Sequence, residues 1–329
     1  MIKRLLFTFG VVAIVALLSV SLVSANGGPH GGFTATTDAC AGCHRTHTAL
    51  GPKLRVDTTN TYNLCITCHG RTGTGANANV LDGIWTAPVR KVGDTTGITN
   101  TTAGGWLLGG GFETYKGAAV SSSHSPSGTL TAAWGNGVGR GATGALAGGA
   151  LDCASCHDPH GSTNYRIVRS IVNNTAVTVA LVDEGVAKDY DTEQWGAGQS
   201  NVCAACHGAY HRVNADQGST LDGGTYTHRV DMPWNSQLRY SGTANPETTG
   251  YGGLTLPLAA TNVVSSTTSN LVVCQTCHLP HGTSSTMSGN AAGTYDPGGA
   301  GVPPGPIPSG DSALLRLNNR AVCEVCHQK

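Results

Sequence analysis

All 12 cysteines of this 329-residue chain fall into six C-x-x-C pairs, and a histidine follows each pair at once. The pairs are Cys40/Cys43, Cys65/Cys68, Cys153/Cys156, Cys203/Cys206, Cys274/Cys277 and Cys323/Cys326. The histidines are His44, His69, His157, His207, His278 and His327. C-x-x-C-H is the attachment sequence for c-type haem. Two thiols add to the haem vinyl groups as thioethers, and the next side chain supplies an axial imidazole to the iron. Rival chemistries explain less. Zinc ribbons pair C-x-x-C motifs without needing a histidine after each. A redox dithiol would occur once, in an α/β pattern that this sequence lacks. Disulfides would leave the six histidines without a reason. Six haem c groups, each with its iron, are therefore the expected cofactors.

The motifs, here numbered sites 1 to 6, begin at residues 40, 65, 153, 203, 274 and 323, so short and long gaps alternate. That alternation suggests three paired units, roughly 26–110, 111–215 and 216–329. The first member of each pair repeats a local pattern: "CAGCHRTH", "CASCHDPH" and "CQTCHLPH". Each carries a trailing histidine three residues after the axial one, namely His47, His160 and His281. Each is also preceded by a lone histidine: His30, His124 or His228. Two residues three apart on a helical turn share a face but cannot both reach the same side of one iron. The trailing histidines are thus expected to ligate neighbouring haems, and the leading ones to supply further distal ligands. His211, four residues after His207, completes the set of seven candidates for six places.

The remaining candidates argue for closed irons. Apart from Met1, the only methionines are Met232 and Met287, so bis-histidine ligation is the expectation at all six sites. Two imidazoles hold a lower potential than a histidine–methionine pair. Such a set suits electron transport. An enzyme would need an open iron position, and no motif variant advertises one. Asp158 in "HDPH" reads as a turn residue before Pro159 rather than a catalytic acid. No catalytic residue is expected.

Lys3 and Arg4 precede an apolar run from Leu5 to Val23, followed by the small residues Ser24 and Ala25. This pattern reads as a signal peptide over residues 1–25, with an uncleaved anchor as its alternative. Export suits c-type haem attachment, so the mature chain, 26–329, is expected outside the cytoplasm. Without Lys3 and Arg4 the chain has two more acidic than basic residues, which offers no basic patch for nucleic acid.

The chain must hold these sites with little ordinary core material. It has 47 glycines and four phenylalanines, two of them in the leader. The expected fold is a multihaem cytochrome c: mostly irregular coil, with short helices and a few short strands wrapped around a chain of six haems. The haems supply the buried surface and cross-links, so the apoprotein is expected not to fold. Short helices should carry the motifs. A hairpin over 165–182 should turn at Asn173-Asn174, a second strand signal lies in 254–273, and a last helix is expected over 313–327.

With "CAGCHRTHTALG", "NLCITCHG", "LDCASCHDPHG", "VCAACHGAYHR", "VVCQTCHLPHG" and the terminal "NRAVCEVCHQK", the chain resembles the OmcS type of hexahaem outer-surface cytochrome. The resemblance implies an extracellular filament, or nanowire, of identical subunits with a continuous haem chain along its axis. It implies alternating parallel and T-shaped haem pairs. It also implies that one haem per subunit takes an axial histidine from the next subunit, and His47 stands at the matching position. The alternative for His47 is the haem of its own pair, on Cys65/Cys68. The alternative for the whole chain is a monomeric periplasmic or surface electron carrier, with a haem reductase as a third reading.

Overall fold

The computed structural model describes residues 30, 38–57, 60–71, 76–86, 104–136, 143–180, 182, 194–211, 228–235, 245–248, 250, 252–260, 270–288, 295–296, 305–306, 313–319 and 321–327. Residues 1–25 lie outside them. Among the described residues no helix is long and apolar enough to cross a membrane.

Short elements joined by coil make up the chain, as expected. All six motifs lie on or beside helices, and these come in two kinds. Sites 1, 3 and 5 sit on single turns, Asp38–Ala41, Cys153–Cys156 and Cys274–Cys277. Sites 2, 4 and 6 end longer helices, Thr61–His69, Gln199–His207 and Ala321–His327. Local chemistry starts them. The Asn60 side chain accepts from the Asn63 N–H at 2.8 Å, capping the first orphan donors of its helix. At sites 3 and 5 a hydroxyl inside the motif reaches back. Ser155 Oγ accepts from the Asp152 N–H and Thr276 Oγ1 from the Val273 N–H, both at 3.0 Å.

The strands are two or three residues long. The widest sheet orders Trp195–Gly196, Ala259–Ala260, Leu271–Val272 and Met232–Pro233, with one parallel pair and the rest antiparallel. The expected hairpin is present: Ile171–Val172 pairs with Thr175–Ala176 across Asn173 and Asn174, both at positive φ. Asparagine tolerates that left-handed conformation, which a two-residue hairpin turn demands. The signal in 254–273 holds two of the sheet's strands.

The last helix is shorter than expected. It starts at Ala321, and Ala313 and Leu314 adopt positive φ in a turn instead. Their high helix propensity loses to a tertiary contact at site 5, described below.

Apolar packing is thin and divided. The main cluster joins Tyr165, Val168, Val172, Val179, Trp195, Ala259 and Val273, and a smaller one joins Leu256, Val322 and Val325 beneath site 6. Two polar side chains, Asn164 buried and Glu247 half-buried, replace regular hydrogen-bond ladders. Asn164 ties the backbone at Arg169, Val177 and Val179. Glu247 ties Gln194, Leu258 and Asn270. Both fix coil segments against the motif helices without needing a large core.

Candidate haem sites

Sites 1, 3 and 5 share one construction. At each, the axial histidine N–H bonds back to the first cysteine's carbonyl: His44 to Cys40, His157 to Cys153 and His278 to Cys274. A second segment then clasps the histidine. His44 Nδ1 bonds to Lys53 O at 2.9 Å, His157 Nδ1 to Arg166 O at 3.0 Å and His278 Nδ1 to Ala313 O at 2.8 Å. The flanking residues repeat the pattern. Arg45, Asp158 and Leu279 donate to Leu54, Ile167 and Leu314, while Val56, Arg169 and Arg316 donate to Cys43, Cys156 and Cys277.

The tip of each clasp places two successive non-glycine residues at positive φ: Lys53-Leu54, Arg166-Ile167 and Ala313-Leu314. This conformation costs about 1–2 kcal/mol per residue. Such strain persists where the surroundings over-determine it. Here the determinant is the histidine: the carbonyl it needs belongs to the first strained residue. An Nδ1–H fixed this way leaves Nε2 as the free lone pair for iron.

The histidines lie in facing pairs. Ring centroids are 6.1 Å apart for His44 and His160, 5.9 Å for His69 and His30, and 6.4 Å for His157 and His281. They are 6.1 Å apart for His207 and His124, and 6.2 Å for His327 and His228. A ligating imidazole nitrogen sits about 2 Å from its metal and the ring centre about 1 Å behind it, so two imidazoles on opposite faces of one iron stand roughly 6 Å apart. All five separations fit that arrangement. Among the described residues no second histidine ring lies at this spacing from His278.

Two rules describe the pairs. The leading histidine of a unit faces the second axial histidine of the same unit: His30 with His69, His124 with His207, His228 with His327. The trailing histidine of a unit faces the first axial histidine of the unit before: His160 with His44, His281 with His157. That leaves His47, which is exposed, and His278 without partners from this rule. The alternative placing of His47 at site 2 meets His30 already there. His211 differs from all of these. Its Nε2 bonds to Asp231 Oδ2 at 2.8 Å, which occupies the nitrogen iron would need.

Burial favours neutral rings. It lowers the pKa of His69, His124, His157 and His278, and that of His281 to about 3. A neutral imidazole is the ligating form. The guanidiniums of Arg55, Arg229 and Arg316 each bury an Nε with no protein partner among the described residues. Burial lowers the Arg316 pKa to about 10. Donors of this kind suit haem propionate carboxylates. Asp158, read as a turn residue, accepts from the His160 N–H at 3.0 Å, and the same Oδ1 lies 3.6 Å from His160 Nδ1.

The cysteines follow one another in motif order. Thiols of consecutive sites lie within electrostatic reach of one another: Cys43 of Cys65 and Cys68, Cys156 of Cys206, and Cys277 of Cys326 and Cys323. Cys65 pairs with Cys153, and Cys203 with Cys274, through a side-chain hydrogen bond. Neighbouring attachment points therefore run unbroken from site 1 to site 6. The hydrogen-bonded contacts fall between sites 2 and 3 and between sites 4 and 5.

Comparisons with known proteins agree with this chemistry. The family model "Doubled CXXCH motif" matches residues 30–74, and the model "Cytochrome c552" matches residues 139–247. No curated protein matches the chain. Among solved structures, the chain is similar to an "Outer Membrane Cytochrome S Filament" from Geobacter sulfurreducens. The identity is 17% and the TM-score 0.42, over 88% of this chain and 98% of that one. The two family models and the repeated motifs support a multihaem c-type cytochrome that transfers electrons.

Proposed function

On the premise of a multihaem c-type cytochrome, we propose that this chain is the subunit of an extracellular electron-conducting polymer. It carries six haem c groups with bis-histidine irons and is not an enzyme. Covalent haem supplies one-electron redox chemistry. The chain's own residues, joined at site 5 by the partner subunit's His47, would hold each iron between two imidazoles. Twelve of the 13 histidines fill twelve axial places, and His211 is the spare.

The observation that carries the polymer is the offset between units. Each trailing histidine serves the unit before its own. Applied to the first unit, the same rule sends His47 out of the chain, and it leaves His278 needing a histidine from outside. One head-to-tail contact between copies satisfies both. Repeated without rotational closure, such a contact makes a filament. The unbroken order of attachment points gives electrons a path through each subunit, and the junction between site 5 of one chain and the His47 end of the next continues it.

The leader pattern read at residues 1–25 supports export, the outer surface is the proposed destination, and the electron partners are other redox proteins or extracellular acceptors. The test has two parts. Intact mass of the secreted protein is expected to exceed the polypeptide by six haems, and negative-stain images are expected to show filaments. Monodisperse particles with all six irons low-spin would overturn the polymer and leave a monomeric carrier. Stoichiometric carbon monoxide binding by the reduced filament would reveal an open iron and return the reductase reading.

A further inference from the structure

The leading histidines are positioned by the same offset. His30 Nδ1 donates to the Pro159 carbonyl at 3.2 Å, and His124 Nδ1 donates to the Pro280 carbonyl. Pro159 and Pro280 are the residues just before the trailing histidines His160 and His281. A trailing segment thus does two jobs for the unit before it. Its histidine faces the first site, and the carbonyl ahead of that histidine orients the distal ring of the second site. Among the described residues no such segment serves the third unit. His228 Nδ1 lies 2.7 Å from the carbonyl of Arg229, its immediate neighbour, instead.

The residue before His47 is Thr46, at the place held by Pro159 and Pro280. The segment around it has the surface of an unfilled joint. Leu54 is 49% exposed and Leu50 69%, whereas Ile167 and Leu314, which hold the place of Leu54 in the other two clasps, are half-buried.

We propose that a second copy of this chain docks its 44–55 segment on the third unit, and that the carbonyl of the partner's Thr46 accepts the His228 Nδ1–H in place of Arg229. This rests on the polymer reading and extends it. Assembly completes the ligation of site 5 and at the same time orients the distal imidazole of site 6, so two adjacent irons at the junction respond to one docking event. A hydrogen bond at Nδ1 raises the basicity of the ligating Nε2 and fixes the ring plane, which changes the low-spin signature of the iron it binds.

The experiment compares the haem-loaded secreted wild-type filament with H47A by electron paramagnetic resonance, with H228M identifying the site 6 signal. In dispersed H47A, one iron is expected to become high-spin and the site 6 low-spin signal to shift. Added imidazole is expected to restore the first and leave the second shifted. A site 6 signal identical to that of the filament, with site 5 high-spin, overturns this inference and spares the polymer. H47A filaments with every iron low-spin overturn His47 as the inter-subunit ligand, and this inference with it. Should H47A fail to accumulate, T46P decides. A proline at this place supplies the same carbonyl in the other two units, so T46P is expected to assemble with an unchanged site 6 signal. Loss of assembly in T46P would contradict the equivalence.

Discussion

Sites 1, 3 and 5 differ from sites 2, 4 and 6 in where their parts come from. An even-numbered site ends a longer helix, and its distal histidine precedes it within the same unit. An odd-numbered site stands on a single turn, is gripped by a strained clasp, and faces a histidine from the following unit. Even sites face a ring from their own unit. Sites 1 and 3 face a ring from the following unit, and among the described residues site 5 faces none. In the proposed polymer, the offset that ties the units together also makes His47 and site 5 complementary.

Breaking an internal odd site should do the most damage. His281 is half-buried between units, facing His157, with its ring centroid 4.7 Å from that of Phe112. His281→Ala is expected to turn site 3 high-spin and to destabilise the whole chain, seen as a sharp loss of secreted haem protein. Large-to-small changes at well-packed positions cost about 2–5 kcal/mol, and a half-buried ring sits at the lower end before any iron bond is counted. His47→Ala removes the same chemistry at the free end. It should leave the single chain folded while dispersing the filament, and equal damage from the two variants would erase the distinction between an internal and a terminal joint.

Acid should act on the buried rings next. His69, His124, His157, His278 and His281 are held neutral by burial, so their folded pKa values are depressed. The unfolded chain binds protons at these rings near about pH 6.5. Stability is therefore full above that value and falls as the pH drops, down to about 3 for His281. A pH titration of the low-spin absorbance should show loss only on the acid side.

The spare histidine provides a control. His211→Gln breaks the bond to Asp231, costing about 1–3 kcal/mol, and should change no iron. A new high-spin signal in this variant would put His211 back among the ligands. The smallest effect belongs to the clasp. Lys53→Gly relieves positive φ at an exposed position and should stabilise the protein by up to about 1 kcal/mol, read as a small rise in Tm. A fall would show that the lysine side chain contributes more than its backbone strain costs.

What the sequence made legible was chemistry written in adjacent residues. Cys-x-x-Cys-His, the trailing histidines and the Asn173-Asn174 hairpin all declare themselves within a few positions. Which ring faces which did not, because His44 and His160 meet across more than a hundred residues. The clasps were hidden for another reason. Lys-Leu, Arg-Ile and Ala-Leu carry none of the glycine or asparagine that usually signals a left-handed turn. Ala313-Leu314 even reads as helix, since it is the histidine's need for a carbonyl, not local propensity, that bends it.

The central claim is that site 5 is completed from outside the chain. An experimental structure of the purified, haem-loaded protein tests it most directly, by showing which atom occupies the sixth position on the site 5 iron. The account predicts Nε2 of the partner's His47. A ligand from the same chain there, or water, would contradict it.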